Sequence, residues 1–407
     1  MQLIKRENYL KRLRDFKNTE FIKIITGLRR VGKSSLLKLF ENELMAGGIP
    51  QSNIISLNFD SLQHADLLDY QSLYAYVLSH KAATGKMYLF LDEIQEVREW
   101  QRAIKSFQID LDCDIYLTGS NAWLFSSQLS TLLSGRYVEI KLLPLSFSEF
   151  LLFNPLPATT SDEEKFQQYL RFGGMPSLRE LKFNRPRVTE TLEGIYATVI
   201  LKDVLARNKI TEQATLRKIV TFLADNIGNI TSANALSKVL VNEGDLGKGA
   251  KPALKTLNYY LQTLLDAFIF YRVDRFDVKG KQILKTLQKY YIVDLGIRNM
   301  LLGERDLDYG HVLENVVYLE LLRREYKIFI GKIGEKEIDF LIETPTEKKY
   351  IQVTETLTGE ETRQRELAPL LALKDNYEKI ILTLDRPLAN SYQGIKIINL
   401  LDWLQNK

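Results

Sequence analysis

The sequence predicts an α/β protein in three parts: a parallel sheet in residues 1–153, a helical region of winged-helix order in 162–305, and a second α/β region in 306–407. Three observations carry this. Residues 21–39 read as a strand, a glycine-bounded loop and a helix; residues 86–93 read as an apolar run that stops on Asp92 and Glu93; residues 312–384 read as helix, three strands, helix, strand. Apolar, β-branched runs flanked by turn residues mark buried strands, whereas leucines three and four apart mark helices.

Between the first strand and its helix, Gly27, Leu28, Arg29, Arg30, Val31, Gly32, Lys33 and Ser34 fill the pattern G-x-x-x-x-G-K-[ST] without a gap. Glycine at both ends permits positive φ and close backbone approach. The N–H groups from Gly27 to Ser35 can then turn inward around a β-phosphate, with the positive end of the helix behind them. Lys33 reaches the β- and γ-phosphates, and Ser34 offers its hydroxyl to Mg²⁺. The bland alternative is a chance glycine turn before a helix. The strand-to-helix context favours the P-loop of a nucleotide triphosphatase, with ATP and Mg²⁺ as the expected ligands.

A second strand at 53–59 and a helix at 67–79 lead to the apolar run. Its tip should emerge beside the loop, because α/β sheets bind ligands at the carboxyl ends of their strands. There Asp92 can hold Mg²⁺ and Glu93 can orient and deprotonate a water that attacks the γ-phosphate, although paired acids also end ordinary strands. A fourth strand at 114–117 ends in Thr118, Gly119, Ser120 and Asn121, a polar tip that either senses the γ-phosphate or simply turns the chain. A fifth strand runs to 142. Arg136 at its entrance is either an arginine finger, within the chain or across a subunit contact, or a surface arginine. Five strands with helices between them make the parallel sheet of a P-loop NTPase.

The segments GLRRVGKSSLL, YLFLDEIQ, LTGSNAWLFS, LSGRY and PLSFSEF resemble the AAA-like ATPases of bacteria and archaea that carry a C-terminal domain of unknown function, number 4143. The similarity continues at FGGMP (172–176), at LKDV (201–204) and at the C-terminal segment, so it covers essentially the whole chain. The resemblance implies ATP binding and hydrolysis. It leaves the biological role unassigned.

Composition narrows the alternatives. The 407 residues are 45% hydrophobic and 26% charged, an ordinary globular balance with room for two or three domains. Fifty-five Lys and Arg against 51 Asp and Glu leave +4, too little to decide between nucleic acid and another partner. A single cysteine, Cys113, excludes a disulfide framework or a zinc site built on several cysteines, and the three histidines, His64, His80 and His311, are too scattered for a histidine metal site. The N-terminal stretch reads as a basic amphipathic helix instead of a signal sequence, and no run of about 18 apolar residues occurs. The chain is therefore expected in the cytoplasm, with no membrane partner.

Residues 154–161, NPLPATTS, read as a linker that ends the first domain. Expected helices at 216–226, 232–241 and 252–267, then strands at 268–275 and 288–293 joined by a basic loop, follow winged-helix order. Residues 245–290 hold nine basic side chains (Lys248, Lys251, Lys255, Arg272, Arg275, Lys279, Lys281, Lys285 and Lys289) and four acidic ones. Lys251 and Lys255 lie one turn apart on the expected recognition helix, with Lys279 and Lys281 in the wing, where they can follow DNA phosphates. Winged helices also dock proteins. In that case the lysines only solvate a surface.

The α-β-β-β-α-β order of residues 312–384 resembles the PD-(D/E)xK nucleases, whose metal ligands are a helix glutamate, an aspartate on the second strand and E-x-K on the third. Glu314 and Asp339 match the first two positions. Gln352 and Thr354 stand in place of the third, and a neutral amide plus a hydroxyl neither completes a Mg²⁺ site nor steadies an attacking water. Glu355 cannot substitute, because strand alternation points it to the other face. The expectation is an inactive nuclease-like fold, with Glu314 and Asp339 as plain surface acids in the alternative. The whole reads as a Mg²⁺-dependent ATPase switch that couples nucleotide state to a nucleic-acid or protein partner, alone or as an oligomer. Two other readings are a docking protein that binds ATP with negligible turnover and an active ATP-dependent nuclease. Asp92 paired with Glu93 favours the switch, and Gln352 with Thr354 argues against the nuclease.

Overall fold

A computed structural model describes residues 3–120, 135–206, 212–242, 254–303, 309–386 and 389–406. The chain divides into two compact units, Met1–Leu142 with Asp266–Phe268, and Leu143–Leu265 with Ile269–Lys407.

The first unit contains α1 (Glu7–Asp15), β1 (Ile22–Thr26), α2 (Lys33–Ala46), β2 (Ile54–Asn58), α3 (Tyr70–Ser79), β3 (Met87–Asp92), α4 (Trp100–Asp110), β4 (Cys113–Gly119) and β5 (Tyr137–Lys141). Its strands form one parallel sheet in the order β2-β3-β4-β1-β5. This is the α/β sheet of a P-loop NTPase. Every residue of β1 and β3 is buried, as strands covered by helices on both faces must be. The core between sheet and helices joins Leu89, Leu91 and Leu117 to Leu73, Val77, Trp100, Ile104 and Phe107.

One residue in β1 breaks the apolar run. Lys23 lies wholly inside, where its ammonium pairs with Asp114 of β4 and donates to the Phe21 carbonyl at 2.9 Å. Asp114 also accepts from the Tyr116 hydroxyl and the Asn18 N–H, both at 2.8 Å. Burial pulls the Lys23 pKa below its ordinary value in spite of the aspartate. Losing either partner would strand the other charge in the sheet.

The second unit contains α5 (Phe147–Phe153), α6 (Asp162–Phe172), α7 (Arg185–Thr198), α8 (Gln213–Asp225), β6 (Ile230–Thr231), α9 (Ala233–Asn242), α10 (Leu254–Asp266), β7 (Phe270–Asp277), β8 (Gln282–Ile292), α11 (Leu295–Leu302), α12 (Tyr309–Arg323), β9 (Lys327–Ile333), β10 (Lys336–Glu343), β11 (Lys348–Thr354), α13 (Glu360–Leu371), β12 (Glu378–Thr383), β13 (Ser391–Tyr392), β14 (Ile395–Asn399) and α14 (Leu400–Gln405). A π-helical stretch, Val199–Ala206, continues α7 and buries Asp203. Capping boxes start α5 and α6: Ser146 with Glu149, and Ser161 with Glu164, each satisfying the free N–H groups of a first turn.

Packing in the structure runs across the expected divisions. The first compact unit ends at Leu142, because Phe147 and Phe150 of α5 pack on Phe166 and Tyr169 of α6, with ring centroids 5.2–5.6 Å apart. The division expected at 305 is crossed by a single mixed sheet of nine strands, β13-β14-β12-β11-β10-β9-β7-β8-β6. Parallel pairing of β7 with β9, Arg275 opposite Ile330, joins the hairpin to the C-terminal strands. Within that sheet β11 and β12 also run parallel, connected by α13, which a short hairpin loop could not achieve.

FGGMP acquires a structural role here. Gly173 has φ +79°, and a Cβ there would stand 2.2 Å from Asp294 Oδ1. Gly174 donates its N–H to Asp294 Oδ2 at 2.7 Å, while its carbonyl accepts from Leu145 N–H at 2.7 Å. Asp294 also N-caps α11, accepting from Ile297 N–H at 3.1 Å. Two segments distant in sequence thus meet on one buried carboxylate, and a third joins them through Leu145. Burial pushes its pKa up to about 6 even though backbone N–H groups of Gly174, Ile297 and Gly296 favour the ionised form.

A folded-state pKa above the unfolded value means that the native state keeps a proton the unfolded chain releases. Stability is therefore full below 3.8 and falls as pH rises to about 6, by roughly 3 kcal/mol. Urea unfolding across that window should show this fall in the wild type and not in Asp294→Asn. Gly173→Ala should lower stability by several kcal/mol at any pH, on the order of other strained or overpacked sites.

Candidate functional site

The loop after β1 is shaped by its glycines. Gly27 has φ +141°, and a Cβ would come within 2.2 Å of the Leu142 carbonyl oxygen, so no other residue fits. Gly32, at φ +99°, N-caps α2 in the left-handed region, and Arg30 at φ +65° helps bend the loop back. Val31 is buried beneath the loop, while Ser34 and Ser35 stand exposed on the first turn of α2. Arg29 is nearly buried, its guanidinium 3.9 Å from Asp60. The Lys33 ammonium is folded back on its own loop: Nζ donates to the carbonyls of Gly27 (3.1 Å) and Leu28 (3.3 Å) and lies 3.6 Å from Glu93 Oε1.

Strand order explains how the paired acids reach this loop. Because β4 lies between β3 and β1, its polar tip stands beside both Asp92 and the loop that follows β1. Thr118 does so through one hydroxyl: Oγ1 donates to Asp92 Oδ1 at 2.5 Å and accepts from the Glu93 N–H at 2.8 Å. Asn58, at the tip of β2, donates to Asp92 Oδ2 at 2.9 Å. Ser34 lies on Asp92 as well, so one hydroxyl and one carboxylate face a common point. Burial raises the Asp92 pKa above its ordinary value, partly opposed by Ser34 and Thr118.

Glu93 sits in the left-handed region, φ +54° and ψ +48°, an uncommon conformation for a residue with a side chain. Its carboxylate accepts from Gln95 Nε2. Burial alone would push the Glu93 pKa up; the charge of Lys33, the bond from Gln95 and the nearby Arg29 outweigh it and hold the group ionised. Lys33, Ser34, Asp92 and Glu93 are thus brought together. Asn58, Thr118 and Gln95, which the sequence reading did not select, complete the cluster.

Other expected residues fall elsewhere. Asn121 lies outside the described residues. Arg136 is exposed at the entrance of β5, where its carbonyl accepts from Ile22 N–H at 3.0 Å. That is the start of β1, and the loop follows its end. Four residues of strand put them roughly 13 Å apart on opposite edges of the sheet, so within one chain Arg136 does not reach the loop.

The acids of the second unit form a cluster with a cation from the hairpin. Lys289 of β8 reaches Glu314 Oε1 of α12 at 2.8 Å and Glu337 Oε1 of β10 at 2.7 Å, with its side chain only 4% exposed. Tyr291 donates to the same Glu314 oxygen, and His311 Nδ1 lies 3.5 Å from the other. Asp339 accepts from Val353 N–H at 2.8 Å, and Gln352 Nε2 donates to Glu366 at 3.1 Å. Burial and the charge of Glu314 drive the Asp339 pKa well up. Burial opposes ionisation of Glu314, yet Lys289 holds its pKa down; Lys289 itself is raised, because Glu314, Asp339 and Glu337 outweigh burial. Glu314 is no surface acid. Among the described residues no group of three or more His, Cys, Asp or Glu has an arrangement that would hold a metal ion.

The same cluster shortens the basic census of residues 245–290. Lys289 and Arg275 are buried, whereas Lys255, Arg272, Lys279 and Lys281 are exposed. Lys251 lies outside the described residues. No helix among the described residues is long and apolar enough to cross a membrane.

Comparison with known proteins agrees with this geometry. Residues 19–151 match the model of an AAA domain, and residues 163–308 match a domain of unknown function, DUF8612; a domain of unknown function was expected after the AAA domain, under the number 4143. An uncharacterized protein of Haemophilus influenzae is 38% identical over 406 residues, covering 99% of this chain and 98% of that one. The uncharacterized protein MJ1544 of Methanocaldococcus jannaschii is 29% identical over 375 residues, 87% of this chain and 79% of that one. Among solved structures, the ADP form of the Aeropyrum pernix ORC2 protein aligns over 80% of this chain and 95% of its own at 10% identity and a TM-score of 0.34. The AMPPCP-bound DnaA of Aquifex aeolicus aligns over 65% and 89% at 13% identity and a TM-score of 0.32. The strand order, not these scores, carries the fold. With near-complete coverage of the Haemophilus influenzae protein, the chain belongs to that protein's family, and in this chain an AAA domain precedes the domain of unknown function.

Proposed function

We propose that the chain is a Mg²⁺-dependent ATPase that works as a cytoplasmic switch, coupling nucleotide state to a nucleic-acid or protein partner. The observation that carries this is the gathering of Lys33, Ser34, Asp92 and Glu93 at one edge of the parallel sheet. Each has the chemistry the step needs. The N–H groups of the loop, from Gly27 through Arg29, Arg30, Val31 and Gly32 to Ser35, face the phosphates with the α2 N-terminus behind them. Lys33 exchanges its own loop carbonyls for phosphate oxygens. Ser34 and Asp92 present a hydroxyl and a carboxylate, a hard oxygen donor set that suits Mg²⁺. Bound there, the ion neutralises charge on the phosphate oxygens. Glu93, kept ionised by Lys33, takes the proton of the attacking water. Arg136 serves, if at all, across a subunit contact.

In the second unit, helices α8, α9 and α10, the short β6 and the hairpin β7–β8 support a winged helix. Its exposed Lys255, Arg272, Lys279 and Lys281 suit a phosphate backbone. The elements α12, β9, β10, β11, α13 and β12 support a nuclease-like fold without activity. Gln352 and Thr354 supply neither ligand nor base-steadying cation, and the Lys289 ammonium already balances Glu314 and Glu337.

Steady-state ATPase assays test the first reading. Lys33→Ala should abolish nucleotide binding, and Glu93→Gln should keep binding while lowering kcat by about 10²–10⁴-fold, since an amide accepts no proton. Equal turnover by wild type and Glu93→Gln would remove the base assignment, and a wild type that binds ATP without turnover would leave a docking protein.

For DNA, fluorescence anisotropy with a duplex at increasing salt should show affinity falling steeply with salt, and replacing Lys255, Lys279 and Lys281 with Ala should weaken binding and flatten the slope by up to about three phosphate contacts. No measurable affinity at low salt would favour a protein partner. Incubation of linear, nicked and branched DNA with Mg²⁺ or Mn²⁺ should leave the DNA intact; cleavage lost in Asp339→Ala would restore the nuclease reading.

A further inference from the structure

Beside Glu93, two buried polar atoms have no hydrogen-bond partner of ordinary geometry among the described residues: Gln95 Oε1 and Ser120 Oγ. Ser120 is completely buried at the end of β4, near enough to the Glu93 carboxylate to help hold its pKa down. Gln95 is committed on one side only. Its Nε2 donates to Glu93, and the reverse orientation would set amide oxygen against carboxylate oxygen, so Oε1 must face away. Native proteins rarely leave a buried acceptor unmet without a functional reason. Both side chains border the Glu93 carboxylate, so a carboxylate acceptor, an amide acceptor and a hydroxyl lie side by side.

A water molecule meets all three. It can donate one hydrogen to Glu93 and one to Gln95 Oε1, and accept from Ser120, which leaves a single lone pair free. Two acceptors also orient that lone pair, which one carboxylate alone would not do. We propose that Gln95 is a catalytic residue that holds the hydrolytic water by its amide oxygen while bracing Glu93 by its amide nitrogen, with Ser120 as the third contact. This rests on the ATPase reading above.

The step balances as follows. The water oxygen bonds to the terminal phosphorus as the bond from phosphorus to the bridging oxygen breaks and its electron pair leaves on the nucleoside diphosphate. The water proton passes to Glu93 and then to solvent. Gln95 changes neither charge nor bonding; its contribution is orientation, where a misplacement of about 1 Å can cost 100-fold.

Gln95→Met keeps the length of the side chain and removes both amide functions, Gln95→Glu keeps an acceptor oxygen and loses the donor, and Ser120→Ala removes the hydroxyl. With full-length protein, the measurements are kcat, KM, the Kd for a fluorescent ATP analogue and the melting temperature. Gln95→Met should lose about 100-fold in kcat with Kd and melting temperature unchanged. Gln95→Glu should retain more kcat than Gln95→Met, with its pH–rate profile displaced upward because a second carboxylate disfavours ionisation of Glu93. A residue that only braced Glu93 would give the opposite order.

Wild-type kcat in Gln95→Met, or kcat and Kd failing together, overturns the proposal. Should Gln95→Met not fold, Ser120→Ala decides: a lower kcat at constant Kd supports the water site and an unchanged kcat overturns it. Turnover lost in Glu93→Gln and kept in Gln95→Met overturns this proposal alone, whereas a wild type without turnover removes the ATPase reading and this one with it.

Discussion

A carboxylate taken out of water must be met by a donor or a cation, and this chain meets four of them with groups far away in sequence. Asp114 finds Lys23, Asp92 finds Thr118 and Asn58, Asp294 finds Gly174, and Glu314 finds Lys289. Each unpaired ion would be worth several kcal/mol of destabilisation, comparable with a domain's whole net stability. The buried acids therefore select one arrangement of strands over others that would bury as much apolar surface. Stability comes from the apolar core; the acids decide which core forms.

In the first unit the same constraint organises chemistry. Placing β4 between the loop strand and the acid-bearing strand lets a single hydroxyl, that of Thr118, serve Asp92 through its proton and Glu93 through its lone pair. The two neighbouring carboxylates are thereby set apart. Asp92 is raised in pKa by burial and fixed by Thr118 and Asn58, while Glu93 is held ionised by Lys33. Lys33 itself is folded on its own loop, its ammonium held by two loop carbonyls and by the Glu93 carboxylate.

What was legible in the sequence depended on how local the determinant is. Gly27 through Ser34 could be read in full because strand, loop and helix are continuous in the chain, and all five strands of the first sheet appear within two residues of their expected ends. Asn58, Thr118 and Gln95 could not be selected, because their roles follow from strand order, which brings three separate strand tips together. Asp294 gave FGGMP its meaning only once α6 and α11 met. Lys289 was misread for the opposite reason: charge counting treats every lysine as solvated, and a strand that pairs into a nine-stranded sheet turns one of its lysines inward.

That inward lysine bears on how the acid cluster of the second unit holds together. Glu314 and Glu337 share one ammonium, and Asp339, beside them, has its pKa driven far up. Neutralising one acid would loosen the grip on Lys289, and removing Lys289 would leave two carboxylates facing each other in a nearly dry site. No single substitution in the cluster is cheap, so the group persists as a unit. Its members lie on β8, α12 and β10, which belong to the hairpin, the helix and the sheet respectively. The cluster therefore ties the hairpin that carries Lys279 and Lys281 to the C-terminal strands, so that the buried charges fix where the hairpin's exposed lysines stand.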